Sequence, residues 1–162
     1  MIRYARAAAD HAAIAAAVEA AFGQPDEARL VERLRAAGDV MFELVAVESG
    51  DIVGHILFSR LWADSQNLYA ALAPLAVRPG LQGAGVGSAL VRASLDSARE
   101  FGAHGVIVLG DPDYYSRFGF STAAAAKVTS VHAGGPGFMA LALEGGAFDA
   151  PLRVIYPDAF SA

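Results

Sequence analysis

The segment Leu75-Ala76-Val77-Arg78-Pro79-Gly80-Leu81-Gln82-Gly83-Ala84-Gly85-Val86-Gly87-Ser88-Ala89-Leu90-Val91 constrains this chain more than any other stretch. An apolar run, a glycine-dense turn and then helical periodicity predict a strand, a loop and the start of a long helix in direct succession. Glycines at 83, 85 and 87 leave main-chain N–H groups uncovered by side chains. Those donors fall where a helix dipole begins, which makes the segment a seat for a phosphate or pyrophosphate.

Two nucleotide motifs are excluded at this position. A P-loop ends in Gly-Lys-Ser/Thr, whereas Gly87 is followed by Ser88 with no lysine. A dinucleotide fingerprint needs G-x-G-x-x-G after a leading strand and an acid about 20 residues later. Here the spacing is G-x-G-x-G, far into the chain, with no such acid. A glycine turn that only caps a helix is the plain alternative.

The rest of the chain reads as one order of elements. Ile2 to Arg6 is a short strand; Ala8 to Phe22 is an Ala-rich helix stopped by Gly23. A second helix begins at Pro25, carries Leu30, Val31 and Leu34 on one stripe, and stops at Gly38. Met41 to Glu48 and Ile52 to Arg60 are strands joined by the turn Ser49-Gly50-Asp51, and Leu68 to Val77 is a third. The helix after the glycine loop runs to Phe101, its apolar residues Leu90, Val91, Leu95 and Ala98 on one face. Gly105 to Leu109 is wholly apolar, the mark of a central strand. A helical turn over Asp111 to Phe118 and strands at Phe138 to Leu143 and Leu152 to Ile155 complete the list, with glycines 134, 135 and 137 in a loop between halves of the sheet. This order predicts an α/β fold with one mixed sheet and helices on both faces.

At 162 residues the length predicts a single domain, 1–162. The chain has no cysteine, which excludes disulfides, Cys-based zinc sites and a cysteine nucleophile. Lys and Arg are scattered and the net charge is −5, so no nucleic-acid partner is expected. No apolar run reaches the roughly 18 residues of a membrane span, and no signal-peptide layout precedes the Ala-rich helix, so no membrane partner and a cytoplasmic location are expected. The four histidines show no ligand spacing, and no metal is predicted.

Two motifs together carry a family resemblance. Gln82-x-x-Gly85-x-Gly87 after the strand at Leu72 to Val77 resembles motif A of the GNAT superfamily of acyl-CoA-dependent N-acyltransferases, with Gln82 in place of the commoner arginine. Tyr115-Ser116-Arg117-Phe118-Gly119-Phe120 resembles the family's downstream Tyr-x-x-x-Gly-Phe segment, and the element order resembles the family's along nearly the whole chain. Val108-Leu109-Gly110-Asp111-Pro112 looks like a branch of small bacterial acetyltransferases. The resemblance implies a sheet splayed between the fourth and fifth strands, with acetyl-CoA in the splay as co-substrate. It implies pyrophosphate on the amides of Gln82, Gly83, Ala84, Gly85, Val86, Gly87 and Ser88, and a thioester carbonyl polarised by an N–H near Leu75, Ala76 and Val77. It also makes Tyr115 the general acid facing the leaving thiolate, the plain alternative being a packing tyrosine with its hydroxyl in solvent; Tyr114 is the fallback for the role and is expected to face away and line the sheet.

The general base is open. The strand Leu68 to Val77 contains no acid, leaving empty a position family members often use. Glu27 shares the face of Leu30 and Val31 and is the candidate for taking the amine proton through water, although it also fits as a helix N-terminal acid. His55 is a weaker candidate that fits a structural strand histidine. Asp111 fits a helix cap, and His104 and His132 carry no role. Phe58, Trp62 and Tyr69 fit core better than acceptor-pocket wall. The expected activity is acetyl transfer from acetyl-CoA to a primary amine by direct attack. The acceptor is a small-molecule or peptide amine, and a homodimer is an assembly the family allows. The alternative is a non-catalytic acyl-CoA-binding or sensing domain.

Overall fold

In the computed structural model, which describes residues 1–161, the chain builds a mixed sheet flanked by helices. The strands are β1 (Ile2–Tyr4), β2 (Val40–Glu48), β3 (Asp51–Ala63), β4 (Leu68–Val77), β5 (Ala103–Leu109), β6 (Val128–Thr129), β7 (Phe138–Ala142) and β8 (Leu152–Ile155). The helices are α1 (Ala7–Phe22), α2 (Asp26–Ala36), α3 (Val86–Glu100) and α4 (Pro112–Tyr115). The main sheet runs β1-β2-β3-β4-β5-β7. Its pairs are antiparallel except β4 with β5, which are parallel because α3 forms the crossover between them. Among the described residues no helix is long and apolar enough to cross a membrane.

β3 extends beyond the expected end at Arg60, because its last residues leave the main sheet to pair with β8: Trp62 lies opposite Ile155 and Ala63 opposite Val154. β8 in turn pairs in parallel with the two-residue β6, a strand too short to carry a periodic signal.

Alternation along the strands assigns the two faces. Gly54, Ile56 and Phe58 of β3 point to the face that α3 covers, where Leu90, Val91, Leu95 and Ala98 pack on Phe42, Leu44, Leu72, Val106 and Val108. Gly54 lets α3 approach closely there, since a Cβ would stand 2.9 Å from Leu90 Cδ1 and 3.3 Å from Ala76 O. The opposite face is shared by two groups. α1 and α2 cover β2, β3 and the far end of β4 through Ile14, Val18, Val31 and Leu34. Tyr69, Ala71 and Ile107 are covered by the chain after β7, through Phe148, Leu152 and Val154. A fully buried leucine such as Leu34 or Leu57 contributes about 1.5–3 kcal/mol.

β4 and β5 pair only as far as Leu72 opposite Val108. β4 continues to Val77 while β5 stops at Leu109. At the same place the β3–β4 register shifts, between Phe58 opposite Leu72 and Ile56 opposite Leu75. Ala73 and Pro74 lie in that bulge, and Pro74 has no N–H to give to either neighbour. Residues 73–77 therefore present to β5 an edge with no strand partner, and the sheet opens between the fourth and fifth strands.

Candidate active site

The glycine loop follows β4 directly. Gly83 and Gly85 have φ of +84° and +87°, values that favour glycine, and Gly85 is the N-cap of α3. Not every amide between 82 and 88 is free. The Gln82 N–H donates to Pro79 O, and the Ala84 N–H to Leu81 O at 3.2 Å, in short turns. Gly83, Gly85, Val86, Gly87 and Ser88 find no main-chain acceptor among the described residues, the last three because they form the first turn of α3. The expected cradle is thus narrowed by two amides. The Gln82 side chain does not reach outward either: its Nε2 donates to Val77 O at 3.0 Å and ties the loop to the strand.

A cavity of about 510 Å³ opens over this loop, lined by Leu75, Val77, Gly85, Gly87, Tyr114 and Arg117 among others. Tyr114 does not face away, as the sequence suggested. One turn of α4 carries it toward α3, where a Cβ on Gly87 would meet its hydroxyl at 2.8 Å. Arg117 sits over the Tyr114 ring, 4.8 Å from its centroid, and donates from Nη2 to Ser88 Oγ at 2.7 Å. The sequence reading assigned no role to Arg117. Its spacing of three residues from Tyr114 was the available signal, since it places both on one side of a helical turn.

A second cavity, about 380 Å³, lies on the opposite face, in the seam between α1–α2 and the C-terminal segment. Glu27 and Leu30 of α2, Pro74 and Leu75 of β4, Leu109 of β5, Tyr115, His132, Tyr156 and Phe160 line it. Leu75 borders both cavities, so they meet where β4 and β5 part. Ala76 is buried and packs toward α1, and lines neither.

Tyr115 lines the second cavity, one residue past Tyr114, which lines the first. Asp111 starts the turn that carries it, its Oδ1 accepting the Asp113 N–H at 3.0 Å, which is the capping role expected of it. The Tyr115 ring is 9% exposed and packs edge-on against Tyr114 and Phe120, 5.0 and 5.8 Å between centroids. Gly110 makes room for it: a Cβ there would lie 2.6 Å from Cε2 of the ring. Burial, with a smaller contribution from Tyr114, pushes the phenol well above its ordinary pKa of 10. Its hydroxyl has no hydrogen-bond partner among the described residues.

Glu27 reaches the second cavity half-buried, both its oxygens accepting from Gln24 Nε2 at 3.1 and 3.2 Å. His55 does not reach it. Its side chain is fully buried beneath α1 and α2, and its Nε2–H donates to Glu43 Oε1 at 2.8 Å. Arg35 closes the group, donating from Nε and Nη2 to the two Glu43 oxygens at 2.9 and 2.7 Å. Burial would push the Glu43 carboxyl up, but the hydrogen bonds from His55 and Arg35 outweigh it and hold it at about 2. Burial, opposed by Glu43, holds the His55 imidazole below its ordinary value. Neutral His55 leaves Nδ1 as a bare acceptor in apolar surroundings. It is a brace between strands, with no access to a proton in either cavity.

His132, given no role by the sequence, lines the second cavity and packs at right angles to Tyr156. No local signal points there, because only the tertiary approach of the 132 loop to the C-terminal segment makes the wall. Phe58, Trp62 and Tyr69 do not cluster. Phe58 and Tyr69 are buried in separate cores, whereas Trp62 is 46% exposed under Arg60. Among the described residues no group of three or more His, Asp or Glu side chains is arranged to hold a metal ion.

These features define an acyltransferase of the splayed-sheet kind, and the comparisons agree. Residues 9–120 match the model of the acetyltransferase (GNAT) family, and the chain belongs to that family. Over 117 residues, 71% of this chain and 70% of the relative, it is 40% identical to the uncharacterized N-acetyltransferase YhbS of Escherichia coli K12. The crystal structure of E. coli YhbS in complex with CoA superposes with a TM-score of 0.91 at 33% identity, covering 100% of this chain and 92% of that one. A GNAT family acetyltransferase of Brucella melitensis, in complex with acetyl-CoA, superposes at 0.82 with 35% identity, covering 99% and 97%.

Proposed function

We propose that the chain moves an acetyl group from acetyl-CoA to a primary amine in one direct displacement. The observation that carries this reading is the meeting of two cavities from opposite faces of the sheet at Leu75, beside the unpaired edge of β4. The free amides of Gly83, Gly85, Val86, Gly87 and Ser88, with the Arg117 guanidinium, suit the pyrophosphate of the coenzyme. The relatives bound to CoA and acetyl-CoA support that choice. The β4 edge from Leu75 to Val77 offers main-chain N–H groups toward the gap to polarise the thioester carbonyl.

The acceptor amine enters from the second cavity. Its proton passes to Glu27, directly or through water, and its lone pair forms the new C–N bond. The C–S bond breaks as the tetrahedral centre collapses, and the thiolate is met by the Tyr115 hydroxyl. No covalent enzyme intermediate forms, and co-location of the two substrates supplies most of the rate. Glu27 is the one carboxylate on the acceptor cavity among the described residues, and β4 adds none. That scarcity of acids favours the second reading, an acyl-CoA sensor without turnover.

The deciding experiment measures CoA binding by calorimetry and thiol release with a panel of primary amines. Tight binding together with amine-dependent release establishes the transferase. Tight binding with no release from any amine establishes the sensor, and absence of CoA binding sinks both.

A further inference from the structure

Resting on the acetyl-transfer reading, we infer from the second cavity that the acceptor is a small primary monoamine carried on an apolar body, such as an arylalkylamine or a branched alkylamine. Three observations converge on this class. The first is size: about 380 Å³ lies near the lower end of the roughly 300–1,000 Å³ of small-molecule pockets, room for one ring or a branched chain rather than an aminosugar oligomer. The second is the wall. Leu30, Leu109, Ile107, Tyr156 and Phe160 surround the space with aliphatic and aromatic surface, which rewards an apolar body and leaves hydroxyl-rich acceptors unpaired.

The third is charge. The cavity has one carboxylate, Glu27, and among the described residues no Lys or Arg lines it. One ammonium is matched by one carboxylate, whereas the further ammonium groups of a polyamine would meet apolar wall. An α-amino acid would bring a carboxylate with no cation to receive it, into the field of Glu27. His132, packed at right angles to Tyr156, adds a polar edge to this wall.

The test compares kcat/KM, read as thiol release from acetyl-CoA, for phenethylamine, isoamylamine, L-phenylalanine, spermidine, kanamycin and a lysine peptide. Phenethylamine and isoamylamine are expected to lead, with L-phenylalanine lower by roughly 10- to 100-fold, the range that follows from burying an unpaired polar group. Leu109→Asp places a charge on the wall at a position 57% exposed, where folding tolerates it. It is expected to lower phenethylamine turnover at least about tenfold with unchanged CoA affinity. Turnover led by spermidine, kanamycin, L-phenylalanine or the peptide overturns the inference and leaves acetyl transfer intact, as does a Leu109→Asp protein with undiminished phenethylamine turnover. If no amine releases thiol, calorimetry of phenethylamine with the CoA-loaded protein decides. Binding retains the assigned ligand class and rejects transfer; absence of binding rejects both.

Discussion

Replacing Tyr115 by phenylalanine removes one hydroxyl that the folded protein does not otherwise use. The oxygen has no hydrogen-bond partner among the described residues, and the ring contacts to Tyr114 and Phe120 survive the change. Stability should therefore hold, and the urea midpoint should match the parent's. Because burial raises the phenol's pKa above its ordinary 10, the hydroxyl remains protonated throughout the neutral range and is a donor whenever a thiolate forms beside it. A hydrogen bond to a charged group contributes about 1.5–3 kcal/mol, which at 1.36 kcal/mol per decade is roughly a 10- to 150-fold fall in kcat. The charge exists only as the C–S bond breaks, so the loss belongs to kcat. KM for acetyl-CoA should stay within about twofold, since Tyr115 does not line the glycine-loop cavity and its ground-state contacts are unchanged. Initial rates of thiol release at saturating amine, with acetyl-CoA varied, measure both. A Tyr115→Phe protein with kcat within twofold of the parent refutes the role given to the hydroxyl. So does one whose defect lies wholly in KM for acetyl-CoA.

Other consequences are as direct. Gly87→Val places a branched side chain where a Cβ would already stand 2.8 Å from the Tyr114 hydroxyl and covers the amides of the first turn; calorimetry should show CoA binding weakened at least about tenfold with secondary structure retained. Glu43→Gln strips the counter-charge from Arg35 and should cost about 2–3 kcal/mol in urea unfolding, somewhat less than the roughly 3–5 kcal/mol of a fully buried pair because Arg35 keeps some solvent contact. Acid should destabilise the protein in two stages. His55 is held below 6.5 in the fold, so the unfolded chain binds its proton first, and stability falls as pH drops below about 6.5. Glu43, at about 2 against an ordinary 4.5, contributes stability that is complete above pH 4.5 and is lost between there and pH 2. Urea midpoints that do not change between pH 8 and 5.5 would contradict a neutral His55.

The order of elements was legible because each carries a local signature: Gly23 and Gly102 end helices in left-handed turns, and the apolar stripe of α3 matches the face it buries. The parting of the sheet followed from family likeness, and its local cause is visible only in the register shift at Ala73 and Pro74. The amides of Gln82 and Ala84 turn inward for a physical reason. A glycine-rich loop must satisfy some of its own donors to hold its shape, and Pro79 and Leu81 supply the acceptors. His55 resembled a base in sequence because nothing local shows that Glu43, twelve residues away, occupies its ring nitrogen. The second cavity was the least readable feature. Its wall joins α2, β5, the 132 loop and the last turn around Phe160, and no periodicity links segments so distant along the chain.

Because the two cavities open on opposite sides of the sheet, the proposed placement of coenzyme and amine gives each ligand its own doorway. Neither blocks the other's arrival, and the spent thiol and the new amide depart by separate routes. Initial-rate plots should therefore intersect rather than run parallel, and each product should compete cleanly only with the substrate that shares its entrance.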